Sequence, residues 1–246
     1  PEQPKDLKPF LDEVEKFALT DYALALNKGA DLPEAERNAV AEKLHTYTGL
    51  SVDYIKKADL RISGGEFTKN LQDDKDTTTG RIDTRFSGPN LDSLSKEADY
   101  DPFVSAIGSA YIAGFNDYAR KDLKWGDERR FKLFAEVGKY WSFQHVPPGT
   151  DQAPWQSPNV MVDLATAMKT NPKLKVQLNV GYFDLATPFF EGVYEMKHLP
   201  IPARLQPNID YKFYESGHMV YANETALKQL HDNAAEFIKN ASTPAP

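Results

Sequence analysis

The chain has 246 residues, 41% hydrophobic and 12% aromatic, which is enough to bury a core in one large or two small domains. Its 29 Lys and Arg against 36 Asp and Glu leave a formal charge of -7. With no basic cluster to contact phosphates, nucleic acid is excluded as a partner. The absence of cysteine removes disulfides, thiolate nucleophiles and Cys-based metal centres, and no apolar run approaches the ~18 residues of a membrane span, so no membrane partner is expected.

In chain order, Phe10, Leu11, Val14, Phe17, Ala18, Leu24 and Ala25 recur at three- and four-residue steps and predict a helix from Lys8 that stops at Gly29. A second helix is expected to open with Asp31 as cap and Pro33 in its first turn, running through Val40 and Leu44 towards Gly49. Ser51 caps a third, shorter one. The polar stretch from Asp73 to Gly80 lacks periodicity and predicts a solvated loop. Near Asp101 and Pro102 a long helix should begin, because Phe103, Val104, Ile107, Tyr111, Ile112, Phe115 and Tyr118 keep the helical period; its aromatic stripe predicts a packed core face. A further helix is expected to hold Phe131, Leu133, Phe134 and Val137.

Prolines 147, 148, 154 and 158 change the texture of the chain and place a boundary there, between a mostly helical part, 1–150, and a second part, 151–246. Ser157 and Pro158 predict the cap and first turn of a helix through Val162, Leu164 and Ala167. Leu174, Val176, Leu178, Val180 and Tyr182 then alternate with polar residues, as a strand with one apolar face does. After a turn at Asp184 to Pro188, a helix holds Phe189, Val193 and Met196, a second strand holds Ile209, Tyr211 and Phe213, and a last helix runs from Ala226 to Ile238 before a frayed tail. Strand, helix, strand, helix predicts an α/β class with a parallel sheet, although two strands make no stable sheet alone.

Ligands of open parallel sheets bind beyond the carboxyl ends of the strands. Asp184 follows the first predicted strand and His218 the second, so an orienting carboxylate and a general base stand at equivalent strand ends. Spacing alone leaves other assignments open, since an Asp after a strand also caps helices and Gly217 also marks a turn. His45, His145, His198 and His231 have neither a His-Glu-x-x-His pattern nor Cys companions, so no metal is expected. Arg81, Asp83 and Arg85 are expected to form an internal ion-pair cluster in preference to binding a ligand carboxylate.

The runs Gly181-Tyr182-Phe183-Asp184-Leu185-Ala186-Thr187-Pro188 and Tyr214-Glu215-Ser216-Gly217-His218-Met219-Val220-Tyr221 resemble the Asp and His signatures of serine carboxypeptidases of the α/β-hydrolase fold. Upstream, Tyr47 to Ser51, Gly80 to Phe86, Tyr100 to Pro102 and Phe115 to Tyr118 resemble the helical cap insertion of the family's bacterial members. The resemblance implies that 1–150 is that cap and that 151–246 is the C-terminal part of the hydrolase core. It implies that Asp184 orients the imidazole, that His218 moves the proton, and that Met219 lines the pocket for the departing C-terminal residue of a peptide substrate. No cofactor is implied, and an extracytoplasmic location, periplasmic or secreted, is.

The chain departs from this family where the nucleophile should be. No Gly-x-Ser-x-Gly elbow precedes the Asp, and Ser216, the serine nearest the pair, has Tyr214 and His218 where the elbow needs glycines. The nucleophilic serine and the oxyanion-hole amides are therefore expected on an upstream N-terminal segment, with this chain silent by itself. That segment, or a second copy of the chain, is also expected to cover the apolar faces of the strands. The alternatives are a noncatalytic binding module, or an acyltransferase or esterase of the same fold family.

Overall fold

Asp6 opens the first helix by accepting a hydrogen bond from the Lys8 amide at 3.2 Å, and Lys8 in turn pairs with Asp12 at 2.9 Å, one turn on. The structure, a computed structural model, describes residues 6–126, 128–129, 131–132, 135, 137–152 and 159–242. The chain divides into two compact units, Pro1–Pro102 and Phe103–Pro246. The boundary expected from the prolines falls partly on 153–158, outside the described residues.

In the first unit, α1 (Leu7–Phe17) passes through a π-helical turn at Ala18–Tyr22 into α2 (Ala23–Lys28), so the expected first helix is continuous but locally widened. Gly29 ends it at φ +54. Pro33, and not Asp31, takes the cap position of α3 (Glu34–Thr48), because Asp31 is drawn into a short 3-10 turn at Gly29–Asp31. Gly49 ends α3 in the left-handed region at φ +81, which favours glycine because a Cβ is crowded there. Ser51 caps α4 (Val52–Lys57), its hydroxyl accepting from the Tyr54 amide at 3.2 Å. Phe17, Ala25, Leu32, Val40, Ala41, Leu50, Ile55 and Leu60 form the core of these helices.

α5 (Gly64–Asn70) starts with a capping box in which Ser63 and Glu66 each accept the other's amide. The segment expected to be a solvated loop holds instead β1 (Thr77–Thr79), paired antiparallel with β2 (Ser87–Pro89). Thr78 and Thr79 are fully buried, and hydrogen bonds replace the missing apolar pattern: Thr78 donates to the Thr68 carbonyl at 3.3 Å, and Gln72 donates to the Thr79 hydroxyl at 2.9 Å. In the connecting loop Asp83 accepts from Arg85 Nε at 2.9 Å and Nη2 at 2.7 Å, while Asp101 accepts from the Arg81 and Ile82 amides. The ion pair expected of this cluster thus joins Asp83 and Arg85, and Arg81 enters through its backbone.

α6 (Pro102–Lys121) forms where the period predicts, but its stripe is not a packed core face. Phe103 and Ala119 are buried, whereas Tyr111, Phe115 and Tyr118 are 42%, 41% and 53% exposed. Periodicity tells which residues share a face and says nothing of whether that face is covered. Of the helix expected around Phe131 and Val137, Leu133 and Phe134 lie outside the described residues, Phe131 is in no regular element, and Val137–Tyr140 is a 3-10 turn.

The rest of the second unit alternates helix and strand. α7 (Met161–Thr170) begins later than expected, with Val160 at its cap position; Ser157 and Pro158 lie outside the described residues. β3 (Val176–Gly181), α8 (Phe189–Lys197), β4 (Ile209–Tyr214) and α9 (Glu224–Ser242) follow. β3 and β4 pair in parallel, from Val176 opposite Ile209 to Gly181 opposite Tyr214, and among the described residues this sheet has two strands. Ala165 and Met168 of α7 pack with Leu199 and Ile209, and Tyr214, Val220 and Ala226 form a second cluster. The architecture is mixed α/β with a parallel pair of strands, both of which end at the same edge.

Candidate active site

Backbone geometry at that edge places the candidate side chains. Beyond β3 and β4 the ladder continues into the loops, with the Tyr182 amide donating to the Tyr214 carbonyl and the Phe183 amide to the Ser216 carbonyl, both at 3.0 Å. The two loops come so close that a Cβ on Gly181 would stand 2.3 Å from the carbonyl oxygens of both Ser216 and Gly217. Glycine at 181 is therefore what lets the loop after β3 touch the loop after β4.

Asp184 and His218 meet across this junction, Nδ1 of the imidazole donating to Oδ2 of the carboxylate at 2.9 Å. The carboxylate is buried. Its other oxygen accepts from the Ala186 amide at 2.7 Å and the Thr187 amide at 2.9 Å, so the tight turn after Asp184 clamps the group that orients the histidine. The Thr187 hydroxyl donates to Oδ2 at 2.8 Å and stands 3.1 Å from Nδ1. Four donors thus converge on one carboxylate, which matches the acceptor capacity of an ionised group.

The imidazole is oriented but open. The His218 side chain is 43% exposed, and among the described residues its Nε2 has no hydrogen-bond partner. With Nδ1–H turned to the carboxylate, Nε2 carries the lone pair, the tautomer a general base needs. Ser216 is buried and its hydroxyl donates to the Val220 carbonyl at 3.2 Å, closing the loop that carries His218. It serves the loop, in keeping with its exclusion as nucleophile. Met219 is half-buried next to His218, and its carbonyl accepts from the Ala222 amide at 2.8 Å.

Support for the two loops comes from below. Tyr214 donates to Asn179 at 2.8 Å and accepts from Asn233 of α9 at 3.1 Å, which ties the last residue of β4 to both its neighbours. Gly192 lets α8 lie against Leu178 and Val180 of β3, where a Cβ would be 3.3 Å from Leu178. Tyr182 stacks on Phe213 with centroids 5.6 Å apart.

Thr187 was not singled out from the sequence, though Asp-x-x-Thr after a strand is the pattern of a side chain capping its own turn. A second pair was missed as well: His145 Nε2 lies 2.8 Å from Asp163 Oδ2 and ties an irregular segment to α7. Neither partner stands at a strand end, so topology gave no signal for it. Among the described residues no cluster of three or more His, Asp and Glu could hold a metal ion, and no helix is long and apolar enough to cross a membrane. Compared with protein-family models, with curated proteins and with solved structures, the chain matches none.

Proposed function

We propose that Asp184 and His218 are the orienting carboxylate and general base of a serine carboxypeptidase-like enzyme of the α/β-hydrolase fold. The observation that carries this is a single geometry, Nδ1 held by a buried, fully hydrogen-bonded carboxylate on an exposed imidazole whose Nε2 has no hydrogen-bond partner among the described residues. The nucleophilic serine and its oxyanion-hole amides come from polypeptide other than these residues. In the assembled enzyme, His218 Nε2 takes the hydroxyl proton as the serine oxygen attacks the scissile carbonyl, and gives it to the leaving amine as the C–N bond breaks. The C-terminal amino acid departs, and water, activated by the same nitrogen, hydrolyses the acyl-enzyme. Asp184 holds the tautomer and stabilises the imidazolium, and Met219 lines the pocket of the departing residue. Such an enzyme works outside the cytoplasm.

The test compares this chain alone with the chain joined to upstream polypeptide bearing a Gly-x-Ser-x-Gly elbow, using a fluorophosphonate probe and release of the C-terminal residue from a blocked dipeptide. Alone it should neither label nor turn over; joined, it should do both. In the joined form, His218→Ala should lower kcat by several orders of magnitude and Asp184→Asn by roughly 10⁴. Stoichiometric labelling of the isolated chain, or turnover that survives His218→Ala, would overturn the proposal.

A further inference from the structure

A cleft of about 200 Å³ opens between the C-terminal half of α6 and the segment that follows it. Among the described residues three aromatic side chains line it: Phe115 of α6 stacks on Phe131 with centroids 4.3 Å apart, and Trp125 carries the Arg129 guanidinium over its ring at 5.9 Å. Three cations among the described residues line it too, Arg120, Arg129 and Lys132. Arg120 donates to the Arg129 carbonyl at 3.3 Å, and the Trp125 amide donates to the Ala119 carbonyl at 2.9 Å, so the chain after α6 is folded back onto the helix to form the cleft.

Charge distinguishes this place from an ordinary surface groove. No carboxylate is among the described lining residues, and none of the three cations has an acidic partner among the described residues. Asp117, one turn before the end of α6, is taken up by Lys121 at 2.5 Å. The chain as a whole is acidic, with a formal charge of -7, so three cations without an acidic partner among the described residues are a local excess against the general balance. The exposed Phe115 and Trp125 rings, next to guanidinium and ammonium groups with no acidic partner among the described residues, offer a stacking surface and an anion seat within one cleft.

We infer that this cleft binds an aromatic carboxylate, its ring packed against Trp125 and Phe131 and its acid group on Arg129 and Lys132. The volume falls below the ~300 Å³ of pockets that take drug-sized ligands, so the occupant is one ring with a short acidic arm. That arm belongs to a small free acid or to the C-terminal residue of a peptide, and the two are separable. The inference does not depend on Asp184 and His218, none of whose atoms line the cleft.

The experiment follows the Trp125 indole N–H by NMR in the full chain, the signal being assigned with Trp125→Phe, while 3-phenylpropionate and acetyl-Ala-Ala-Phe are titrated in separately. Either acid should shift it saturably, with a Kd on the order of 1 mM or tighter for a ligand of this size. Binding of both, or of the peptide alone, assigns a C-terminal residue as the natural arm; binding of phenylpropionate alone assigns a free acid. The corresponding carboxamides should bind at least tenfold more weakly. Arg129→Gln combined with Lys132→Gln, both exposed positions whose replacement should leave the melting temperature unchanged, should remove the preference for acid over amide. No saturable shift with either acid, or equal shifts with acid and amide, overturns the inference, and the wild-type comparison decides it even if the double variant is unstable.

Discussion

Gly181 has no room for a side chain, and that is its function. Its would-be Cβ meets two carbonyl oxygens at 2.3 Å, both of them backbone atoms of the loop that carries His218. Alanine there must push this loop away from the loop of Asp184, and overpacking of such a site costs about 1–3 kcal/mol. Gly181→Ala should therefore lower the melting temperature and also part the two side chains now 2.9 Å apart. Nitrogen NMR of His218 is the decisive measurement, because separation from the carboxylate releases the imidazole from the Nδ1–H tautomer. A variant that loses stability yet keeps that tautomer would show that the close approach is not what pairs the two residues. Thr187 adds to the pairing from the other side, since its hydroxyl touches both members.

Among the elements, α5 shows how a short helix is held by its first turn. Ser63 accepts from the Glu66 amide at 3.2 Å, and Glu66 accepts from the Ser63 amide at 2.9 Å. The backbone bond from Ser63 is the largest cause of a Glu66 carboxyl held below its ordinary value of 4.5, with Lys96 adding to it. A carboxyl lowered in the folded chain contributes stability that is fully present above its ordinary value and is lost as the pH falls through the lowered one. Ser63→Ala should cost about 1 kcal/mol near neutrality. The protection factors of the α5 amides, their exchange rates taken relative to the unfolded chain at the same pH, should fall on acidification below about pH 4.5 in the wild type. In a Glu66→Gln variant, which keeps an acceptor for the Ser63 amide but cannot titrate, that acid step should disappear; an undiminished step would place its origin outside the capping box.

The same element scale shows which features the sequence makes legible. β3, α8, β4 and α9 are visible in it because alternation and helical period express burial on one face, and the strand ends then locate Asp184 and His218. β1 is invisible by the same logic, since Thr78 and Thr79 are buried by hydroxyl hydrogen bonds and carry no hydropathy contrast. The π turn at Ala18–Tyr22 leaves no mark because one widened turn barely displaces the apolar stripe. Gly181 and Thr187 owe their roles to the approach of another loop, which no local pattern records.

Across the whole molecule, and among the described residues, the two units differ in how their buried apolar residues are grouped. The first has eight buried apolar residues in one cluster, ringed by Tyr22, Leu44, Tyr47, Phe67 and others. The second has clusters of four and three, and Phe213 on β4 remains 38% exposed. Protection of an amide reflects the free energy of the opening that exposes it, and openings are easier where fewer apolar contacts close them. Parallel strands are ordinarily covered on both faces and flanked by further strands, which a pair of strands cannot provide for itself. Hydrogen exchange of the isolated chain should therefore find its slowest amides in α3 and α4, with those of the β3–β4 ladder exchanging markedly sooner. Joined to upstream polypeptide that completes the sheet, the ladder amides should slow by an order of magnitude or more while α3 and α4 change little. Ladder protection that already equals that of α3 in the isolated chain would show the two strands to be self-sufficient, and would remove the structural need for a partner at their edges.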